Sequence, residues 1–222
     1  MDSYNIKNHL FYDGYDLDNK KLEEIKYISD FIKDINKTIF NSIGKISIIP
    51  YFDGKVKLDG GISGIIIGPN FHFTCHTFCF KKTIFIDYYG DDKLKDVLFQ
   101  KILKTFKTNN YDLGSKDTPG NFGKHIIIES QPISFNEGTK IVNTILENIK
   151  MTSIFELLIS KTDNDNFDIL QPIAESHISL HQHNNILILD VFSCKDFNTE
   201  DVLQIINNIK NIKIVNRGIQ YK

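Results

Sequence analysis

The hydrophobic and polar positions along the chain follow the same order twice. Residues 8–35 fit a short apolar strand, a polar turn and an amphipathic helix whose apolar positions recur every three or four residues. Residues 124–149 repeat this order, with Ile126–Ile128 as the strand. His9 and His125 occupy the same place in the two copies. The pattern therefore predicts an internal repeat.

Further strands follow each predicted helix, and the two copies align residue by residue. The aligned strand segments are 45–52 with 153–160 and 63–90 with 168–194, and the closing helices are 92–106 and 199–209. The stretch between the copies has the polar, Gly and Pro character of a linker. We therefore predict a first repeat over 1–106, a linker over 107–123 and a second repeat over 124–222.

Strands that alternate with helices in this order predict an α+β protein. Each repeat is of a βαββα type, which places helices on one face of a sheet and leaves the other face to be covered. We expect an αββα sandwich, in which the two repeats pack sheet against sheet and form one compact unit.

Composition narrows the function classes. The chain has 26 Lys and Arg against 28 Asp and Glu, so a net charge of -2 argues against a nucleic-acid or membrane-surface partner. The first residues lack a signal-peptide pattern, and no apolar run reaches membrane-spanning length. Three cysteines, Cys75, Cys79 and Cys194, fit a reducing compartment. We expect a cytoplasmic protein.

The segment HFTCHTFC, residues 72–79, suggests a metal site. On a helix its two His and two Cys would share one face and could bind zinc. The β-branched and aromatic neighbours predict a strand instead, in which the His and the Cys point to opposite faces. We therefore expect no metal.

A second polar segment, AESHISLH at 174–181, lies in a predicted buried strand and precedes ILILDVFSC at 186–194. In the first repeat, SGIII at 63–67 precedes a strand with His72 and His76. These residues resemble the S-adenosylmethionine decarboxylase family of pyruvoyl enzymes, whose bacterial signature reads approximately ESHISIH followed by DVFTC. The resemblance extends over both repeats.

The resemblance implies a proenzyme that cuts itself between Glu175 and Ser176. The Ser176 Oγ would attack the Glu175 carbonyl, and elimination would leave a covalent pyruvoyl group, derived from Ser176, that forms a Schiff base with the substrate amine and acts as an electron sink. Cys194 would be the proton donor in decarboxylation. Ser63 and His76, which keep the family's spacing, would serve the processing reaction.

The two repeats divide these residues between them. The first repeat carries Phe71 where the second has Ser176, and Asp91 where the second has Cys194. The second repeat carries Asp168 at the position of Ser63. The chain is therefore similar to two family protomers fused into a pseudo-dimer with one remaining site, and a further homodimer stays an open alternative. His72 and His177 are interpreted as structural, and His181 as a remnant of the lost site.

One family feature is missing. The family's ribose-binding Glu is replaced by Phe80 in the first repeat and by Asn185 in the second, so substrate-binding residues remain unassigned. The first expectation is S-adenosylmethionine decarboxylase of polyamine (spermidine) biosynthesis, acting on that small molecule. The alternatives are a pyruvoyl decarboxylase of another amino acid, ornithine or arginine, and a non-catalytic regulatory paralogue.

Overall fold

A computed structural model describes most of the chain. The described residues are 9–51, 60–113, 124–163, 165–174, 176–193, 195–208 and 214–221. Two compact units are present, an N-terminal unit over Ile6–Gly114 and a C-terminal unit that includes Ser115–Lys222. Each unit is described below by itself.

The described residues of the N-terminal unit form six strands and three α-helices. In chain order they are β1 (His9–Gly14), α1 (Asn19–Glu23), α2 (Ile25–Thr38), β2 (Lys45–Tyr51), β3 (Gly61–Gly68), β4 (Phe71–Phe78), β5 (Thr83–Tyr89), α3 (Lys95–Phe106) and β6 (Tyr111–Leu113). The strands form one antiparallel sheet in the order β2-β3-β4-β5-β1-β6.

The C-terminal unit follows the same plan. Its elements are β7 (Lys124–Ser130), α4 (Phe135–Asn148), β8 (Leu158–Lys161), β9 (Phe167–Ile173), β10 (Ser176–His183), β11 (Ile186–Ser193), α5 (Thr199–Asn207) and β12 (Ile214–Tyr221). Its antiparallel sheet has the order β12-β7-β11-β10-β9-β8. Read from β8, this sheet has the same order as the first sheet, with β8 to β11 in the places of β2 to β5, β7 in the place of β1 and β12 in the place of β6. The predicted internal repeat is therefore present in the topology of the two units.

Helices pack on one face of each sheet. In the N-terminal unit the α2 residues Ile28, Ile32 and Ile35 are fully buried and share a core with alternate residues of β3, β4 and β5. In the C-terminal unit, Val142 and Ile145 of α4 are likewise fully buried and share a core with residues of the sheet. The three-to-four-residue spacing of these positions brings them to one helix face. The α+β class is thereby confirmed, and packing of sheet against sheet stays a prediction.

Each unit has more strands than the predicted βαββα order. The segment 63–90 forms three strands, because a two-residue turn separates β3 from β4. Gly68 pairs with Phe71, and between them Pro69 has a fixed φ while Asn70 adopts a φ of 61°. The edge strands β6 and β12 are also additional.

Two predicted segments differ in detail. Strand β8 is shorter than the predicted 153–160. Ser153 forms only an isolated bridge with Ile173, and the Gln171 side chain donates a hydrogen bond to Phe155 O, a carbonyl that a continuous strand would pair with a backbone N–H. Strand β6 lies within the predicted linker 107–123, whose residues 114–123 fall outside the described part of the chain. Among the described residues, every helix is too short or too polar to cross a bilayer.

Candidate active site

Ser176 is the first residue of β10, where the chain has just turned back from β9. It pairs with Ile173 of β9 on one side and Ser193 of β11 on the other, and only 1% of its surface is exposed. Its φ is 157°, a backbone conformation that residues other than glycine rarely adopt. The serine at the predicted cleavage bond thus lies buried at the start of a central strand, in a strained conformation.

The next residue, His177, contacts the Ser176 hydroxyl. Ser176 Oγ and His177 Nδ1 lie 3.2 Å apart, within hydrogen-bonding distance. The other ring nitrogen, Nε2, is 4.0 Å from Asp190 Oδ2 on β11. His177 and Asp190 are both fully buried. The geometry therefore aligns a hydroxyl, an imidazole and a carboxylate.

A second histidine contacts the same carboxylate. His125 of β7 bonds through Nε2 to Asp190 Oδ1. The Phe192 ring lies beside both imidazoles, with ring centroids 5.3 Å from His125 and 6.2 Å from His177. Register explains this arrangement, because Phe192 pairs with His125 on one side and His177 on the other. In one tautomer each histidine donates its Nε2 proton toward one oxygen of Asp190.

The N-terminal unit repeats this arrangement without the serine. His72 Nε2 lies 4.0 Å from Asp87 Oδ2, and Tyr89 pairs with both His72 and His9, as Phe192 does with its two histidines. The residue before His72 is Phe71, whose side chain packs into the helix-facing core. The duplicated His and Asp positions are therefore a property of the repeat, whereas the hydroxyl belongs to the second repeat alone.

The structure brings Ser63 and His76 together in the N-terminal unit. They lie directly opposite each other on β3 and β4, and Ser63 Oγ is 2.8 Å from His76 Nδ1. Both side chains are buried, at 6% and 4% exposure. The 13-residue spacing therefore corresponds to a cross-strand pair, and the assigned roles of these residues in processing stay a prediction.

The matching pair of the C-terminal unit is Asp168 with His181. His181 Nδ1 lies 2.7 Å from Asp168 Oδ1, and His183 Nε2 lies 3.0 Å from both oxygens of the same carboxylate. Burial raises the pKa of Asp168, but the hydrogen bonds from the two histidines and their charges lower it by more, so the net pKa is below its ordinary value. A hydrogen-bonded carboxylate thus occupies the position of the Ser63 hydroxyl.

The segment HFTCHTFC forms a strand up to Phe78, as predicted. Cys75 belongs to the core beneath the helices, and burial raises the pKa of its thiol. His76 pairs with Ser63 instead. The His and Cys of this segment therefore have separate surroundings.

Two predicted site residues, Glu175 and Cys194, lie outside the described part of the chain. Sequence reasoning did not single out Asp190, and it assigned no role to His125. Their signal was present in the repeat alignment, where His9 matches His125 and Asp87 matches Asp190.

Comparison with known proteins identifies a family to which part of the chain is similar. Residues 136–216 match the model of the S-adenosylmethionine decarboxylase family, a segment that includes the surroundings of Ser176 and the DVFSC motif. A comparison with curated protein sequences found no match. Similar solved structures include the adenosylmethionine decarboxylase from Aquifex aeolicus VF5, with 18% identity, a TM-score of 0.38, and coverage of 50% of this chain and 95% of that chain. The resemblance first noted around Ser176 is thereby confirmed, and residues 136–216 are similar to the S-adenosylmethionine decarboxylase family.

Proposed function

We propose that the chain is a self-processing, pyruvoyl-dependent S-adenosylmethionine decarboxylase that cuts itself between Glu175 and Ser176. The family match over residues 136–216 carries this proposal, because the matched segment includes the residues at which self-cleavage and decarboxylation would occur. The buried, positive-φ conformation of Ser176 supports it. Strain at a bond that is to be broken is released by the cleavage.

The surroundings of Ser176 fit a pyruvoyl group derived from it. The side chain is buried beside an imidazole, so water is excluded from the position where the ketone would form. Once formed, the group supplies an electrophilic ketone that none of the twenty side chains provides. Cys194 would return a proton to the substrate carbon after loss of CO2.

Ser63 and His76 are the proposed processing residues. In this proposal the Ser63 hydroxyl donates a hydrogen bond to the tetrahedral intermediate of the acyl shift, and His76 removes the α-proton of Ser176 in the elimination step. Their 2.8 Å contact supports joint action, because the imidazole orients the hydroxyl. The product of the enzyme would be the aminopropyl donor for spermidine synthesis.

Self-cleavage is tested by the intact mass of the freshly purified protein beside a Ser176→Ala variant. We expect the wild type to yield fragments 1–175 and 176–222, the second without a free amino terminus, and the variant to remain uncut. Ala at 176 removes only the Oγ, so the comparison isolates the nucleophile. Two full-length proteins would refute the proposal and favour a non-catalytic regulatory paralogue.

Substrate choice needs a separate assay. Carboxyl-labelled S-adenosylmethionine, ornithine and arginine are each incubated with the cleaved protein, and released CO2 is counted. We expect release from S-adenosylmethionine. Release from ornithine or arginine alone would establish the alternative, which the replacement of the ribose-binding Glu by Phe80 and Asn185 motivates.

A further inference from the structure

We propose that His177 is the general base that activates Ser176 for self-cleavage, with Asp190 and His125 as the residues that position it. The inference rests on the proposed function, since it assigns a role within that cleavage. It departs from the interpretation of His177 as structural, which sequence alone favoured. All four side chains belong to the C-terminal unit.

The contact between the serine and the imidazole is the first observation. A serine hydroxyl is a weak nucleophile until a base removes its proton, and the base must lie within hydrogen-bonding distance. His177 Nδ1 meets this condition at 3.2 Å from Ser176 Oγ. The positive φ of Ser176 departs from regular strand geometry, in which neighbouring side chains point to opposite faces.

The tautomer of His177 decides whether the imidazole can act as a base. A base must present an unprotonated nitrogen to the hydroxyl, so the ring proton has to reside on Nε2. That nitrogen faces the Asp190 carboxylate at 4.0 Å, and a carboxylate favours a proton on the nitrogen that faces it. Nδ1 is then the acceptor toward Ser176.

His125 holds the carboxylate in place. Its Nε2 bonds to Asp190 Oδ1, which leaves Oδ2 directed at His177. The group is buried, so these charge interactions are stronger than they would be in water. Asp190 acts through His177 and is a positioning residue.

The step balances in atoms and charge. The Ser176 Oγ proton moves to His177 Nδ1 as Oγ bonds to the carbonyl carbon of Glu175. The tetrahedral intermediate collapses with cleavage of the carbon–nitrogen bond, and the leaving amine of Ser176 takes the proton back from Nδ1. The product is an ester between Glu175 and Ser176 Oγ, with His177 returned to its starting form.

The test follows the rate of conversion to fragments 1–175 and 176–222 by intact mass. Removal of a general base slows a reaction by roughly 10²–10⁴-fold, so we expect His177→Ala to lower the cleavage rate at least about 100-fold. Added imidazole should restore part of the rate by entering the space that the side chain leaves. His177→Gln, which fills the site but cannot carry a proton, should be equally slow without rescue.

Strand β10 itself provides a control. His183→Gln alters a histidine of the same strand that bonds to Asp168 and not to Ser176, and we expect cleavage within a few-fold of the wild-type rate. Asp190→Asn should slow cleavage, and Asp190→Glu should recover part of the rate because it keeps the carboxylate. Circular dichroism and thermal midpoints verify that each variant is folded.

The outcomes separate this inference from the function on which it rests. Cleavage of folded His177→Gln or His177→Ala at the wild-type rate would overturn the base assignment and leave self-processing intact. A wild-type protein that never cleaves would overturn both. Slow cleavage by the two His177 variants, with imidazole rescue of the alanine variant, would support the assignment.

Discussion

Asp168 is a carboxyl group of the second repeat at the position that the Ser63 hydroxyl holds in the first. Its net pKa is lower in the folded protein, because the hydrogen bonds from His181 and His183 outweigh the opposing effect of burial. A carboxyl group with a lowered folded pKa adds stability that is fully present above its unfolded pKa of about 4. That contribution is lost as the pH falls through the folded pKa.

This gives a prediction for acid stability. Asp168→Asn should be less stable than wild type at pH 6, and the difference in free energy of unfolding should shrink as the pH falls from about 4 through the lower pKa of the folded carboxyl group. Urea titrations at several pH values between 6 and 2.5 measure it. Asp96→Asn, at an exposed position of α3, is the control for loss of a carboxylate. A difference for Asp168→Asn that stays constant over the whole range would contradict the assignment.

At the scale of single residues, the sequence named candidate residues but not their contacts. The family resemblance named Ser63 and His76 by their 13-residue spacing, and register places the two directly opposite each other. The contact of Ser176 with His177 could not be predicted in this way, because neighbouring strand residues normally face opposite sides. It depends on the φ of Ser176, a backbone conformation that residue types alone do not determine.

Helix α4 begins with a capping box that the sequence S-F-N-E encodes. Ser134 Oγ accepts from the Glu137 backbone N–H at 3.3 Å, and Glu137 Oε2 accepts from the Ser134 backbone N–H at 2.9 Å. Helix α4 packs on β9 and β10, the strands on either side of the predicted cleavage bond. The capping box therefore stabilises a helix that packs against the strands of the candidate site.

The capping box leads to a stability prediction at the element scale. Ser134→Ala should lower the free energy of unfolding by about 1 kcal/mol, because the backbone N–H of Glu137 loses its hydrogen-bond acceptor. In a protein of this size that corresponds to a fall in thermal midpoint of about 2–4 °C, measurable by circular dichroism. Asn143→Ala, at an exposed position within α4, should leave the midpoint unchanged or raise it slightly. Equal effects of the two substitutions would argue against the cap.

Elements with a long periodic pattern were predicted well, and the edge strands β6 and β12 were not. The apolar spacing of α2 and α4 identified both helices, since burial of one face produces that spacing. Strand β6 has only three residues, too few for an alternating pattern, and β12 contains Arg217 and Gly218, which interrupt one. Both strands owe their place to backbone pairing with β1 and β7, which needs no particular side chains.

At the scale of the whole molecule, the proposal assigns residues of both repeats to one cleavage reaction. Ser63→Ala and His76→Ala, both in the N-terminal unit, should then each slow cleavage of the Glu175–Ser176 bond by roughly 10²-fold or more, since each removes a group proposed to act in processing. Accumulation of the uncut chain, followed by intact mass, measures the effect. Cleavage at the wild-type rate in both variants would show that the C-terminal unit processes itself without these residues.

The equivalent position of the second repeat supplies the control for that experiment. His181→Gln alters the histidine that corresponds to His76 but is bonded to Asp168 instead of a serine. We expect this variant to cleave within a few-fold of the wild-type rate. If it were slowed as much as His76→Ala, the division of labour between the repeats would be wrong.

The sequence alone determined the internal repeat, the α+β class and the family resemblance, because hydrophobic periodicity and local motifs are properties of neighbouring residues. The tertiary structure decided which polar residues meet across strands. Ser63 with His76, Asp168 with His181, and His125 with Asp190 became pairs only through antiparallel register, which follows from strand pairing between distant segments. Cooperation among buried polar groups depends on distances of about 3 Å, and only the folded chain sets such distances.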